Sequence, residues 1–139
     1  MVAASNTMVR VGRVISGLIA LLFAMSAVMK LKGGAEVTTG MAHLGLSESL
    51  MVPLGILEMS CVAIYLIPAT SMLGAILLTG YIGGAILAHL RIGDPFFFQI
   101  ALGVCVWVGL YLRENRLREL IPLRTPASVD FTIARSTNI

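Results

Sequence analysis

The sequence predicts an all-α protein, a membrane-spanning up-down four-helix bundle, and three observations carry that expectation. Hydrophobic residues make up 58% of the 139-residue chain and charged residues 12%. A soluble domain averages about 45–50% apolar and about 25% charged, so halving the charge while raising the apolar content points to lipid as the solvent. Four apolar runs of roughly spanning length recur, separated by glycine, proline and charged breaks. The length suits one domain. The expected organisation is a short cytoplasmic segment over 1–10, a transmembrane domain over 11–121 and a polar cytoplasmic tail over 122–139. The spans are placed at about 11–29, 50–67, 71–90 and 96–112.

The first span has Arg10 and Arg13 at its start and contains no proline. Gly12, Ser16, Ala20 and Ala24 recur every four residues along it. Such a small-residue stripe lets a second helix approach closely where lipid supplies no hydrophobic drive. A basic start with small residues at Ala24 and Ser26 also fits a cleaved leader. The length of the run and the stripe favour a retained span.

The connection from Lys30 to Leu50 carries Gly33-Gly34, Glu36, His43, Gly45 and Glu48. The double glycine marks a break, and the remainder suits a short interfacial helix or a lid. The second span has Pro53 near its start and Glu58 within it. Pro68-Ala69-Thr70 is an uncharged tight connection to the third span, as expected between antiparallel neighbours. Asp94-Pro95 reads as the start signal of the fourth helix, with the carboxylate capping the first turn. Phe96, Phe97 and Phe98 at one end, with Trp107 and Tyr111 towards the other, suit interfacial belts. Arg113, Arg116 and Arg118 stand at helical spacing, which predicts that this helix runs on past the membrane.

Seven of the ten basic residues lie on the side of the termini, and Lys30, Lys32 and Arg91 lie on the other. The positive-inside rule then places both termini in the cytoplasm. A net charge of +3 is too small to imply nucleic-acid binding. Cys61 and Cys105 stand alone inside apolar runs, with no Cys-Cys or Cys-His spacing that suits a metal.

The candidate chemistry lies in the polar residues of the spans. A central acidic side chain costs about 2.5–3.5 kcal/mol on insertion scales, so Glu58 is expected to be protonated or paired with a cation. Tyr81 and His89 share a face of the third span. Gly80, Gly84 and Ala88 form a second small-residue stripe beside them, expected to bring a neighbouring backbone close. A Glu58–His89 link, direct or through Tyr81 or water, makes these three the candidate catalytic residues. Lys30, Arg91 and Asp94 are the candidate ligand-binding residues on the same side. Each also has a plain structural reading: snorkelling for Lys30, and a local ion pair plus helix cap for Arg91 and Asp94.

Four stretches carry a resemblance: AVMKLKGG, LGLSESLMVPLGILE, IPATSMLGAILLTGYIGGAILAHLRIGDP and WVGLYLRENRLRELIPLR. Over about residues 11–124 the chain resembles the DoxX-like family of small four-helix bacterial membrane proteins. The resemblance implies a multi-pass bundle in the bacterial inner membrane, in a wider group associated with quinone-linked sulfur oxidation and oxidative-stress complexes. It also implies recurrent polar positions at Lys30, Glu58, Tyr81, His89, Arg91 and Asp94. No haem, flavin or nicotinamide motif is present, and among cofactors a quinone is the one the reading leaves open. Two functions follow as expectations. One is binding of a lipophilic molecule, quinone- or isoprenoid-like, in an outward-facing polar pocket, as a redox-linked accessory or a proton-transfer enzyme. The other is a non-catalytic assembly or anchoring subunit, forming homo- or hetero-oligomers through its Gly/Ala helix faces.

Overall fold

The computed structural model describes residues 5–121. The expected tail over 122–139 lies outside them. Among the described residues the secondary structure is entirely helical: α1 (Asn6–Lys32), α2 (Ala35–His43), a single 3-10 turn (Glu48–Leu50), α3 (Met51–Leu66), α4 (Ser71–Ile92), α5 (Phe97–Arg113) and α6 (Asn115–Leu120). The expected membrane-spanning bundle is borne out. α1 packs against α3 and α5, α3 against α4, and α4 against α5, closing a ring of four helices in up-down order. Three helical segments are long and apolar enough to cross a membrane: α1, the 3-10 turn with α3, and α4. α5 is a shorter apolar helix of 17 residues.

The helix ends follow local chemistry. Ser5 caps α1 by accepting from the Met8 amide at 3.3 Å, and Gly33 ends it at φ 70, a conformation that costs glycine least. Pro53 sits in the first turn of α3, where its missing N–H has no intrahelical partner to lose. At the α3–α4 turn, Thr70 Oγ1 donates to the Ile64 carbonyl at 2.9 Å.

The bundle interior holds small and polar residues beside large apolar ones, and the outer surface is rich in large apolar side chains. Small or polar residues such as Gly12, Ser16, Gly74 and Ser71 are buried, while Leu18, Met25, Ile56, Leu73, Ile76 and Leu87 are exposed. In lipid, large apolar side chains facing outward cost nothing, and close backbone contact supplies the packing energy. A Cβ on Gly12 would lie 2.6 Å from the Arg113 backbone nitrogen. One on Gly74 would fall on the backbone of Tyr65.

The stripe Gly12–Ser16–Ala20 thus seats α5 against α1. Tyr65, fully buried, locks the contact: its hydroxyl meets Ser16 Oγ at 3.0 Å and donates to the Val106 carbonyl at 2.9 Å. The second stripe behaves otherwise. A Cβ on Gly80, Gly83 or Gly84 would meet nothing within 4 Å. α4 presents that face outward because its inward face is built from Gly74, Ala75, Leu78 and Ile82.

Two expectations about helix ends are corrected. The fourth helix does not run on: the backbone is extended at Glu114 (φ −108, ψ 110) and α6 is a separate turn-and-a-half. Arg118 folds back to donate to the Tyr111 carbonyl at 2.8 Å and to that of Leu112, satisfying the end of α5. Leu117 meanwhile tucks into the core. Asp94 does not cap α5 either. The cap position is Phe96, and no side chain bonds there.

Candidate functional site

The site forms at the end of the bundle where α1 and α4 finish and α5 begins. Lys30 lies in the last turn of α1, with Ser26 one turn before it on the same face. Glu58 lies midway along α3. Gly55, one turn earlier on α3, lets the two helices meet: a Cβ there would lie 3.1 Å from the Ala27 carbonyl oxygen and 3.0 Å from Leu31 Cγ. At that spacing Lys30 Nζ reaches Glu58 Oε2 at 2.8 Å. Lys30 also donates to Ser26 Oγ, and Ser26 Oγ donates to the same Glu58 oxygen at 3.3 Å.

Of the two expected solutions for a membrane carboxyl, the cation partner is therefore present, and it is Lys30. The lysine bends inward to the acid instead of snorkelling outward. The carboxylate is 2% exposed and the lysine side chain 17%, so only the lysine end of the pair opens outward.

Tyr81 is half-buried on α4. Its ring meets Phe23 edge-on, with centroids 6.2 Å apart. His89 is not linked to Glu58. Its Nδ1 lies 2.8 Å from the Ala85 carbonyl. A carbonyl only accepts, so Nδ1 carries the proton and Nε2 is left to accept from Gln99 Nε2 at 3.2 Å. Gln99 Oε1 is then buried with no partner among the described residues.

Arg91 and Asp94 do not pair with each other. Arg91 donates to the carbonyls of Leu44 at 2.8 Å and Gly45 at 3.4 Å. Asp94 Oδ2 meets His43 Nε2 at 2.7 Å. Gly93 ends α4 in the left-handed region at φ 77. With α4 ended there, both side chains reach the α1–α3 connection, where free carbonyls and an imidazole stand as partners.

These two contacts hold α2 across the end of the bundle, and a cleft of about 330 Å³ lies beneath it. Its walls are Val37, Gly40, Met41, His43 and Leu44 from the α2 segment, facing Lys30, His89 and Asp94. The volume falls in the range of small-molecule sites, and the mix of apolar wall with a few convergent polar groups is their usual composition.

Ser26, His43 and Gln99 complete the arrangement without having stood out in the sequence. Ser26 was legible as the residue one helical turn before Lys30. Gln99 was legible as the single amide side chain within the otherwise apolar α5. His43 had no local signal, because its partner is 51 residues away.

Among known proteins, no curated protein and no solved structure matches the chain. A family model does match, over residues 14–111, described as the DoxX-like family. The match takes in Ser26, Lys30, Glu58, Tyr81, His89 and Gln99, and covers well over half of the chain. With three helices fit to cross a membrane and the four-helix ring around the Lys30–Glu58 pair, the chain is a multi-pass membrane protein belonging to the DoxX-like family.

Proposed function

We propose that this protein binds a small lipophilic molecule in the cleft under α2, with the molecule's polar head against Lys30 and its apolar part along Val37, Met41 and Leu44. The observation that carries the reading is the buried Lys30–Glu58 pair opening on its lysine side into an apolar-walled cleft. A buried ion pair is a weak way to stabilise a fold and often costs as much as it contributes. In a membrane, ionisable groups mark sites of function.

Holding the molecule suits the geometry better than turning it over. Glu58 is already bonded to Lys30 and Ser26, and both His89 nitrogens face protein atoms. The setting we propose is the bacterial inner membrane, with both termini cytoplasmic and the cleft on the opposite side. The bias of basic residues towards the termini supports it.

The test is mass spectrometry of organic extracts from protein purified in mild detergent. Wild type is compared with Glu58→Gln and with Met41→Trp, which fills the cleft. A defined lipophile enriched in wild type and depleted in both variants is the expected result. Identical bulk-lipid profiles from three equally folded samples count against it.

A second reading, an assembly subunit, is favoured by one observation: the open face at Gly80, Gly83 and Gly84. On that reading Gly80→Leu dissolves a hetero-complex in native gels of the parent membranes and leaves the isolated bundle folded. An intact complex removes it.

A further inference from the structure

The Lys30 ammonium has three N–H donors. Two are used, by Ser26 Oγ and Glu58 Oε2. The third belongs to a side chain that lines the cleft and is 17% exposed, whereas its partner carboxylate is 2% exposed. A molecule in the cleft therefore meets a donor, and the acid stays behind it. The charge on that donor is already matched by Glu58. The other carboxylate on the wall, Asp94, is engaged by His43 at 2.7 Å.

Resting on the proposed binding role, we infer that the cleft selects a head group that is an uncharged hydrogen-bond acceptor, a carbonyl above all, and that Lys30 is the specificity-determining residue. A carboxylate head would add a second negative charge where the only nearby ammonium is already neutralised. Next to the Asp94 carboxylate, that second negative charge is disfavoured by like-charge repulsion. An ammonium head would face Lys30 itself. A pure hydrocarbon would displace water from the third N–H and offer no acceptor in return.

The test uses three probes of equal chain length: methyl undecyl ketone, tridecane and tridecanoate. Each is offered to the full-length protein in nanodiscs, and retention is measured against empty nanodiscs. The ketone is expected to bind about tenfold more tightly than tridecane, the usual size of a hydrogen bond to a charged donor, and more tightly than tridecanoate. In the double variant Lys30→Met/Glu58→Leu the ketone and tridecane become equal.

A measurement on wild type alone guards against a variant that fails to fold. The carbonyl stretch of isotope-labelled ketone, bound to the protein, should move to lower frequency than in empty nanodiscs. Equal binding of ketone and tridecane, or an unshifted carbonyl band, overturns the inference and leaves the binding role standing. Tighter binding of tridecanoate overturns the uncharged-head clause. Retention of none of the three overturns both the inference and the role beneath it.

Discussion

Lys30 and Glu58 meet at 2.8 Å from helices α1 and α3 because Gly55, one turn from the acid, admits the Ala27 carbonyl to within 3.1 Å of where its Cβ would stand. A site built on that approach is sensitive to the ion pair and to the glycine alike.

The pair should show strong energetic coupling. Lys30→Met leaves the buried Glu58 carboxylate without its partner, a loss of about 3–5 kcal/mol, and Glu58→Leu, which leaves the lysine free to turn outward, should cost less. The double variant Lys30→Met/Glu58→Leu should recover most of that. A double-mutant cycle on unfolding in mixed detergent measures it, and additive losses would show that the pair does not interact.

Glycines on the two faces of α4 should respond in opposite ways. Gly74→Ala drives a methyl into the Tyr65 backbone, which cannot rotate away, so a loss of about 1–3 kcal/mol is expected from overpacking. Gly80→Ala meets open space and should be neutral or stabilising by up to about 1 kcal/mol through helix propensity. Thermal unfolding of the two variants side by side decides the matter, and equal losses would contradict the packing described.

Tyr65→Phe removes the hydroxyl shared by Ser16 and the Val106 carbonyl, both inside the core. The expected loss is about 1–3 kcal/mol, the cost of leaving a buried polar group without its partner. Unfolding in mixed detergent would detect it. An unchanged midpoint would mean that neither bond contributes.

The α2 segment should loosen when its latch is cut. Asp94→Asn weakens the bond to His43, and Arg91→Met frees the carbonyls of Leu44 and Gly45. Hydrogen exchange of residues 35–46 should accelerate in both variants while α1, α3 and α5 keep their protection. Unchanged exchange in α2 would mean that apolar contacts, Met41 foremost, hold the lid.

Much of the fold was legible in the chain because each span is a local property. Apolar length and the small-residue period on α1 are written in consecutive residues, and so is the glycine break at Gly33. Glu58 was legible as an anomaly whose cost demands a partner. The identity of that partner was not: Lys30 also suits snorkelling, and the choice depends on how close Gly55 lets α1 come. The break at Glu114 was hidden for a similar reason. Arg113, Arg116 and Arg118 keep helical spacing, but Arg118 instead turns back to the end of α5. Asp94 and Arg91 lie three residues apart and read as partners of each other. Their true partners arrive from a segment 46 to 51 residues away, a distance over which no sequence periodicity speaks.

The cleft wall from Val37 to Leu44 lies between two spans, tied to the rest of the molecule by the buried Met41 and by the polar contacts of His43 and of the Leu44 and Gly45 carbonyls. The bundle closes on itself without it. Changes at Val37 or Leu44 can therefore reshape the chamber without repacking a single transmembrane interface. The cleft and the bundle are thus separable along the chain: eight consecutive residues shape one wall, and the Lys30–Glu58 pair belongs to the helices.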